Sequence, residues 1–190
     1  MKNKFLLFVT AILLSMSAQL HAAEKNAKPF VIPELREWKG AVGEFTITDA
    51  TRIVYSSKNP ELADVAKLLS EDYKKMFGVE LQVAEGKAAN GDIVIGIKKN
   101  KKEGEEGYTI NIAANVKIDA NTVRGAIWAT RTLLQIAEQN EGNKLPKGFI
   151  ADYPDYEMRS FMLDCGRKFI PISFLHEYVD FMAYYKMNTF

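Results

Sequence analysis

Cysteine and histidine are nearly missing from this chain of 190 residues, which has one Cys, at position 165, and two His, at 21 and 176. A lone Cys165 excludes an intrachain disulfide, so the fold must rest on its core. So few histidines argue against a zinc centre and against a Ser-His-Asp or Cys-His site within this segment. His176 sits among apolar residues on a predicted helix and is read as structural. Charge of one sign is lacking too. The 25 Lys and Arg stand against 24 Asp and Glu, for a net charge of +1, which offers no basic face to a nucleic acid. The short basic run at 98–102 is followed at once by Glu103, Glu105 and Glu106 and reads as a solvated turn. Nothing calls for a cofactor or a metal.

Long hydrophobic runs are also scarce. The one apolar stretch, Phe5 to Met16, follows Lys2 and Lys4 and precedes the small residues Ala18, Ala22 and Ala23. It is shorter than the roughly 18 residues a bilayer span requires. Charge, apolar segment and small residues in that order predict a secretory signal peptide over 1–23, cleaved near Ala22 or Ala23. The mature protein is expected to be secreted or periplasmic, with no membrane span.

What the chain does contain is periodicity. Glu44 to Ile47 and Arg52 to Tyr55 read as strands of a hairpin turning at Asp49. Asn59-Pro60 predicts a helix start, with Asn as N-cap and Pro at the first helical position. The stripe Leu62, Val65, Ala66, Leu69, Tyr73, Met76 and Phe77 follows a 3.6-residue period, and Gly78 ends it. Strands are expected at Val79–Val83, Asp92–Ile97, Gly107–Ile112 and Val116–Ile118. Asn121 is expected to cap a second helix over 122–138, with an inner stripe of Val123, Ala126, Ile127, Thr130, Leu134 and Ala137. A polar loop covers 140–147. Residues 24–150 are therefore expected to form an α+β domain, with a mainly antiparallel sheet and two helices on one face.

The character changes after Asp152-Tyr153-Pro154-Asp155. Met158 to Cys165 is a strongly apolar predicted strand, with Arg159 near its start and Asp164 near its end. Pro171 fits the first turn of a third helix carrying Phe174, Leu175, Tyr178, Val179, Phe181, Met182, Tyr184 and Tyr185. That helix is apolar over too much of its circumference to have only one packed side. Residues 151–190 thus read as a strand–helix unit that needs more protein around it.

The stretches Asp152-Tyr153-Pro154, Met158-Arg159-Ser160-Phe161-Met162-Leu163-Asp164, Arg167-Lys168-Phe169 and Met182-Ala183-Tyr184-Tyr185-Lys186-Met187-Asn188 resemble the opening of the catalytic barrel of family 20 glycoside hydrolases. That pattern is a D-x-P turn, R-G-x-x-L-D-x-x-R-H-F, and a helix ending M-A-x-x-K-x-N-x-F. Upstream, Glu106-Gly107-Tyr108-Thr109-Ile110 and Gly125 to Gln135 resemble the non-catalytic domain preceding that barrel. Ser160 replaces the usual Gly, and Lys168 the usual His.

The resemblance implies a non-catalytic domain followed by the first strand–helix unit of a truncated (β/α)8 TIM barrel. It implies an exo-acting, retaining β-N-acetylhexosaminidase that removes terminal β-linked N-acetylglucosamine or N-acetylgalactosamine from glycans or glycoconjugates. The nucleophile is then the substrate's own acetamido oxygen, an exception to the two-carboxylate scheme. The adjacent Asp-Glu pair such chemistry uses occurs nowhere in these 190 residues, so no catalytic residue is assigned. By the resemblance, Arg159 is a substrate ligand whose guanidinium fork bridges sugar hydroxyls. By position alone it reads as a structural ion pair at a strand start, because barrel sites gather at the strands' C-terminal ends. Asp164 differs from Arg159 in strand parity and, with Arg167, is read as a structural pair holding the first strand–helix turn. Asp155, Tyr156 and Glu157 are read as linker surface. A reading of another class is a stand-alone carbohydrate-binding or scaffold module, or the accessory domain of another glycosidase family.

Overall fold

The computed structural model describes residues 24–190, so the expected leader at 1–23 lies outside the described residues. In chain order the elements are β1 (Glu37–Thr46), β2 (Arg52–Tyr55), α1 (Leu62–Phe77), β3 (Gln82–Glu85), β4 (Ile93–Ile97), β5 (Tyr108–Ile112), β6 (Val116–Ala120), α2 (Val123–Glu138), β7 (Lys144–Asp152) and α3 (Ile172–Tyr184). Seven strands form one sheet in the order β1-β7-β5-β6-β4-β2-β3. No helix of the described residues is long and apolar enough to cross a membrane.

The sheet is mixed rather than mainly antiparallel. β1, β7, β5 and β6 pair antiparallel, whereas β6, β4, β2 and β3 pair parallel. The parallel half follows from connectivity. A strand that leads through a helix to the next strand comes back in the same direction, as β2-α1-β3 does. The expected hairpin between β1 and β2 does not form. β1 pairs with β7 at one edge of the sheet, and β2 lies next to the opposite edge. The segment expected as a loop at 140–147 instead supplies the first residues of β7.

α1 buries Leu62, Val65, Ala66, Leu69 and Tyr73, the predicted stripe, and ends at Gly78 in the left-handed conformation (φ 75°). Its start differs: Leu62 is the first helical residue, and Glu61 precedes it with no side-chain cap. α1 and α2 pack on each other and on the sheet. On the sheet face they cover, Ile53, Ile93, Ile95, Ile110, Ile112 and Ile118 are all buried.

α2 is capped by Thr122, whose hydroxyl accepts from the Gly125 N–H at 3.4 Å. Asn121 is occupied elsewhere: it accepts from the Asn100 N–H and donates to the carbonyls of Asn100 and Gly104, closing the preceding loop. A single inner stripe also understates α2. Every residue from Trp128 to Ala137 is buried, because the extended N-terminal segment and α3 lie against the side that the sheet and α1 leave open. Gln135 holds both, accepting from the Ile32 N–H at 2.8 Å and donating to the carbonyls of Ile32 and Tyr184.

Gly125 decides how closely α2 approaches β5. A Cβ there would sit 2.7 Å from the Gly107 carbonyl oxygen and 3.2 Å from the Glu106 carbonyl carbon, and backbone cannot yield as a side chain can. In an open helix, Gly→Ala stabilises by about 1 kcal/mol. Here the sign should reverse, because overpacking costs typically about 1–3 kcal/mol. Gly125→Ala is expected to lower the urea midpoint with an unchanged m-value, and a raised midpoint would show that the helix can move off β5.

The C-terminal segment departs most from expectation. Met158–Cys165 is extended but makes no ladder; one parallel bridge joins Ser160 to Thr189. The Arg159 carbonyl accepts from the N–H groups of Asn188 and Thr189, and Phe161 N–H donates to the Thr189 carbonyl. α3 begins after Pro171, which stands at the N-cap, and buries only Met182. Phe161, Phe169, Ile172, Phe174, Val179, Phe181 and Phe190 are exposed, and Tyr178 stacks among Phe161, Phe174, Phe181 and Phe190.

Candidate functional site

Residues from four separated stretches meet where the sheet domain touches the C-terminal segment. β5 supplies Tyr108 and, just before it, Glu106. The last residue of β7 is Asp152. From the C-terminal segment come Arg159 and, beyond α3, Lys186 and Asn188. α2 runs across the back. Its residues 124, 128, 132 and 135 fall four, four and three apart, the spacing that puts side chains on one helix face. Arg124 lies 3.6 Å from Glu106, Trp128 stacks on Arg159, Thr132 bonds Tyr108, and Gln135 holds the Tyr184 carbonyl.

The inner group is Tyr108, Asp152, Lys186 and Thr132, all buried. The Tyr108 hydroxyl donates to Asp152 Oδ2 at 2.5 Å and accepts from Lys186 Nζ at 2.8 Å. Its single proton is thereby spent, so Thr132 donates the 2.6 Å bond between the two hydroxyls. Lys186 Nζ also reaches Asp152 Oδ2 at 3.1 Å. Lys186 gets there because it leaves α3 at φ 60°, turning back toward the sheet. Burial, opposed by the Asp152 carboxylate, holds the ammonium below the usual lysine range. Burial and the neighbouring Asp152 charge push the Tyr108 phenol well up.

The outer group centres on Arg159. Its Nε donates to the Lys186 carbonyl at 2.7 Å, its Nη1 to the Tyr156 carbonyl at 2.7 Å, and its Nη2 to Glu106 Oε2 at 2.5 Å. The side chains of Arg159 and Glu106 are 15% and 8% exposed, so this pair is far better shielded than a surface ion pair. Glu106 Oε1 also accepts from Asn188 Nδ2 at 3.3 Å. Between the groups and the linker lies a cavity of about 270 Å³, bordered by Trp128, Arg159 and Lys186 on one side and Arg36, Tyr153 and Tyr156 on the other. Arg36 stacks on the Tyr153 ring, donates to its carbonyl and pairs with Asp155, which fixes the linker against the strand.

Family models match both sides of this junction. "Glycosyl hydrolase family 20, domain 2" covers residues 28–153, about two thirds of the chain. The chain belongs to glycosyl hydrolase family 20. The model of the family's catalytic domain matches residues 156–190. A β-hexosaminidase of Porphyromonas gingivalis is 30% identical over 90% of this chain and 24% of its own length. A lacto-N-biosidase of Bifidobacterium bifidum is 27% identical over 85% of this chain and 14% of its own length. Among solved structures, the family 20 β-N-acetylhexosaminidase of Streptomyces coelicolor superposes with a TM-score of 0.71 at 24% identity, over 87% of this chain and 35% of that one. That likeness shows the shared fold. The chain spans about a quarter of the Porphyromonas relative and less of the Bifidobacterium one.

The residues that carry the family 20 resemblance are largely those that build the junction. The D-x-P turn supplies Asp152, the helix-ending K-x-N supplies Lys186 and Asn188, and Glu106-Gly107-Tyr108 supplies the facing groups. Arg159 stands among them, with its fork engaged by protein acceptors. Asp164 and Arg167 lie outside the junction. Their side chains are 65% and 95% exposed and 3.8 Å apart, and Asp164 Oδ1 accepts from the Gly166 N–H at 2.7 Å. Lys168 and His176 are exposed, as is Cys165. Of the linker residues, Asp155 pairs with Arg36 and the Tyr156 carbonyl holds Arg159, so both do more than face water. Sequence reasoning did not single out Glu106, Tyr108, Asp152, Lys186 or Asn188. The one signal that contains all five is the family resemblance, whose quoted stretches include each of them.

Proposed function

We propose that the chain is the N-terminal part of an exo-acting, retaining β-N-acetylhexosaminidase, with residues 156–190 opening a (β/α)8 catalytic barrel that domain 2 holds in place. What carries this reading is the interlock itself: Glu106, Tyr108 and Asp152 of one matched domain close on Arg159, Lys186 and Asn188 of the other. The exposed aromatic side of α3 supports it, since an apolar patch of this kind marks a surface that another element covers, and the following strands of a barrel would do so. The substrate is a terminal N-acetylhexosamine on a glycan, hydrolysed with the help of its own acetamido group. Arg159 is a ligand for the sugar hydroxyls, and the protein works outside the cytoplasm, in the periplasm or the medium.

The carboxylic acid and the acetamido-orienting carboxylate come from beyond residue 190 in this scheme. General acid catalysis alone is typically worth about 10²–10⁴ in rate. The full-length parent is therefore expected to release nitrophenol from a p-nitrophenyl N-acetyl-β-glucosaminide or galactosaminide, while the purified 190-residue chain does not exceed a mock preparation. Turnover by the chain alone would refute the division of labour. A parent inert on every terminal N-acetylhexosaminide would refute the activity.

A further inference from the structure

Arg159 is held in an unusual way for a residue at the start of a poorly paired extended segment. Three of the five N–H groups of a guanidinium are tied down, on Nε, Nη1 and Nη2, by the Lys186 carbonyl, the Tyr156 carbonyl and Glu106. The ring of Trp128 lies against the fork, with the guanidinium carbon 5.6 Å from its centroid. Two N–H groups remain, one on each terminal nitrogen, and Arg159 borders the cavity at the junction.

Among the groups that fix the fork, Glu106 is the only charged one, and it belongs to domain 2. It is fixed in turn. Oε1 accepts from Asn188, Arg124 stands 3.6 Å away, and the backbone that follows is pinned. Asn121 N–H donates to the Gly107 carbonyl, and Gly125 of α2 is pressed against the same turn. Carboxylate and guanidinium meet with little solvent, where a charge-assisted bond is strong and directional.

We infer that Glu106 is a positioning residue for sugar recognition, acting from domain 2 by setting the plane of the Arg159 guanidinium so that its two remaining N–H groups point to adjacent hydroxyls of a terminal N-acetylhexosamine. This rests on the proposed role of Arg159. It gives domain 2 a part in substrate binding through a residue that does not touch substrate.

The test uses the full-length parent with p-nitrophenyl N-acetyl-β-glucosaminide. Five proteins are compared: wild type, Glu106→Gln, Glu106→Asp, Arg159→Lys and the Glu106→Gln/Arg159→Lys double variant. Glu106→Gln keeps the shape and one acceptor but removes the charge. A small misplacement of a binding group costs up to about 100-fold, so kcat/KM should fall by about 10- to 100-fold on the folded enzyme, chiefly through KM. Glu106→Asp should recover part of the loss. In the Arg159→Lys background, Glu106→Gln should add less than about twofold, since two residues acting through one fork are not additive. Its effect on Tm should persist. Near-normal kcat/KM in Glu106→Gln with a lowered Tm overturns the inference and leaves Glu106 as domain glue. So does a Glu106→Gln protein that fails to fold, and so does a fully multiplicative double variant. If wild type itself is inert, the underlying activity is what falls.

Discussion

Asp152→Ala is expected to cost about 3–5 kcal/mol of stability, the penalty for leaving one member of a buried ion pair without its partner. The Asp152 carboxylate is 9% exposed and the Lys186 ammonium 7%. Oδ2 accepts from both Tyr108 and Lys186, and Oδ1 accepts weakly from the Arg36 N–H at 3.4 Å. Without that carboxylate, Lys186 keeps only the Tyr108 oxygen as an acceptor among the described residues. The ammonium must then lose its proton or leave its site, and leaving means unwinding the turn at φ 60° that brings the chain back after α3.

The penalty comes from the orphaned charge rather than from a contact energy. Pairing Asp152→Ala with Lys186→Met should therefore restore much of the loss, because a buried pair can be replaced by apolar groups at little cost while half a pair cannot. The measurement is urea denaturation of the single and double variants. A double variant as unstable as the sum of the singles would show that the pair contributes through packing, not charge. Loss of Asp152 should also loosen the linker, since Arg36 and Tyr153 are held beside it. Faster proteolysis between residues 153 and 158 would report that directly.

Such a junction was only half legible in the sequence. α1 was readable because its stripe and terminal glycine obey local rules. The strands β4, β5 and β6 were readable as short β-branched runs. The β1–β2 hairpin was misread because turn residues at 48–51 look the same whether the chain reverses beside itself or crosses to a far edge. β1 instead finds β7, some hundred residues later, and no local signal encodes that pairing. β7 was hidden by Pro146, which has no N–H for a ladder. It is tolerated because it faces Glu44, where the register with β1 shifts, and because β5 pairs only from Gly148 onward. Such bulged, locally edge-like places are where a strand admits proline. The parallel half of the sheet could have been inferred from the order strand, helix, strand. Met158–Cys165, expected as a strand, makes a single bridge, Ser160 to Thr189, among the described residues. The polar junction residues were least legible, because a buried Lys or Glu has no periodicity and is recognised only from what it faces.

The second large effect is expected at Arg159. In the full-length parent, Arg159→Lys should lower kcat/KM for a terminal N-acetylhexosaminide by about 10- to 150-fold. A bond to a charged donor is worth roughly 1.5–3 kcal/mol, and each 1.4 kcal/mol is about a decade. Lysine keeps the charge and can still reach Glu106, so the ion pair survives in part. It cannot also serve the Tyr156 and Lys186 carbonyls in fixed directions, because a single ammonium on a flexible stem replaces a planar fork. Tm should therefore fall as well, by the loss of one or two charge-assisted bonds at about 1.5–3 kcal/mol each. The two readouts separate the two roles of the fork. If Arg159 serves only the junction, the surviving folded enzyme keeps its kcat/KM while Tm drops, and the substrate-ligand assignment fails. If the two N–H groups left over by Glu106, Tyr156 and Lys186 do meet the sugar, kcat/KM falls on enzyme that is still fully folded at the assay temperature.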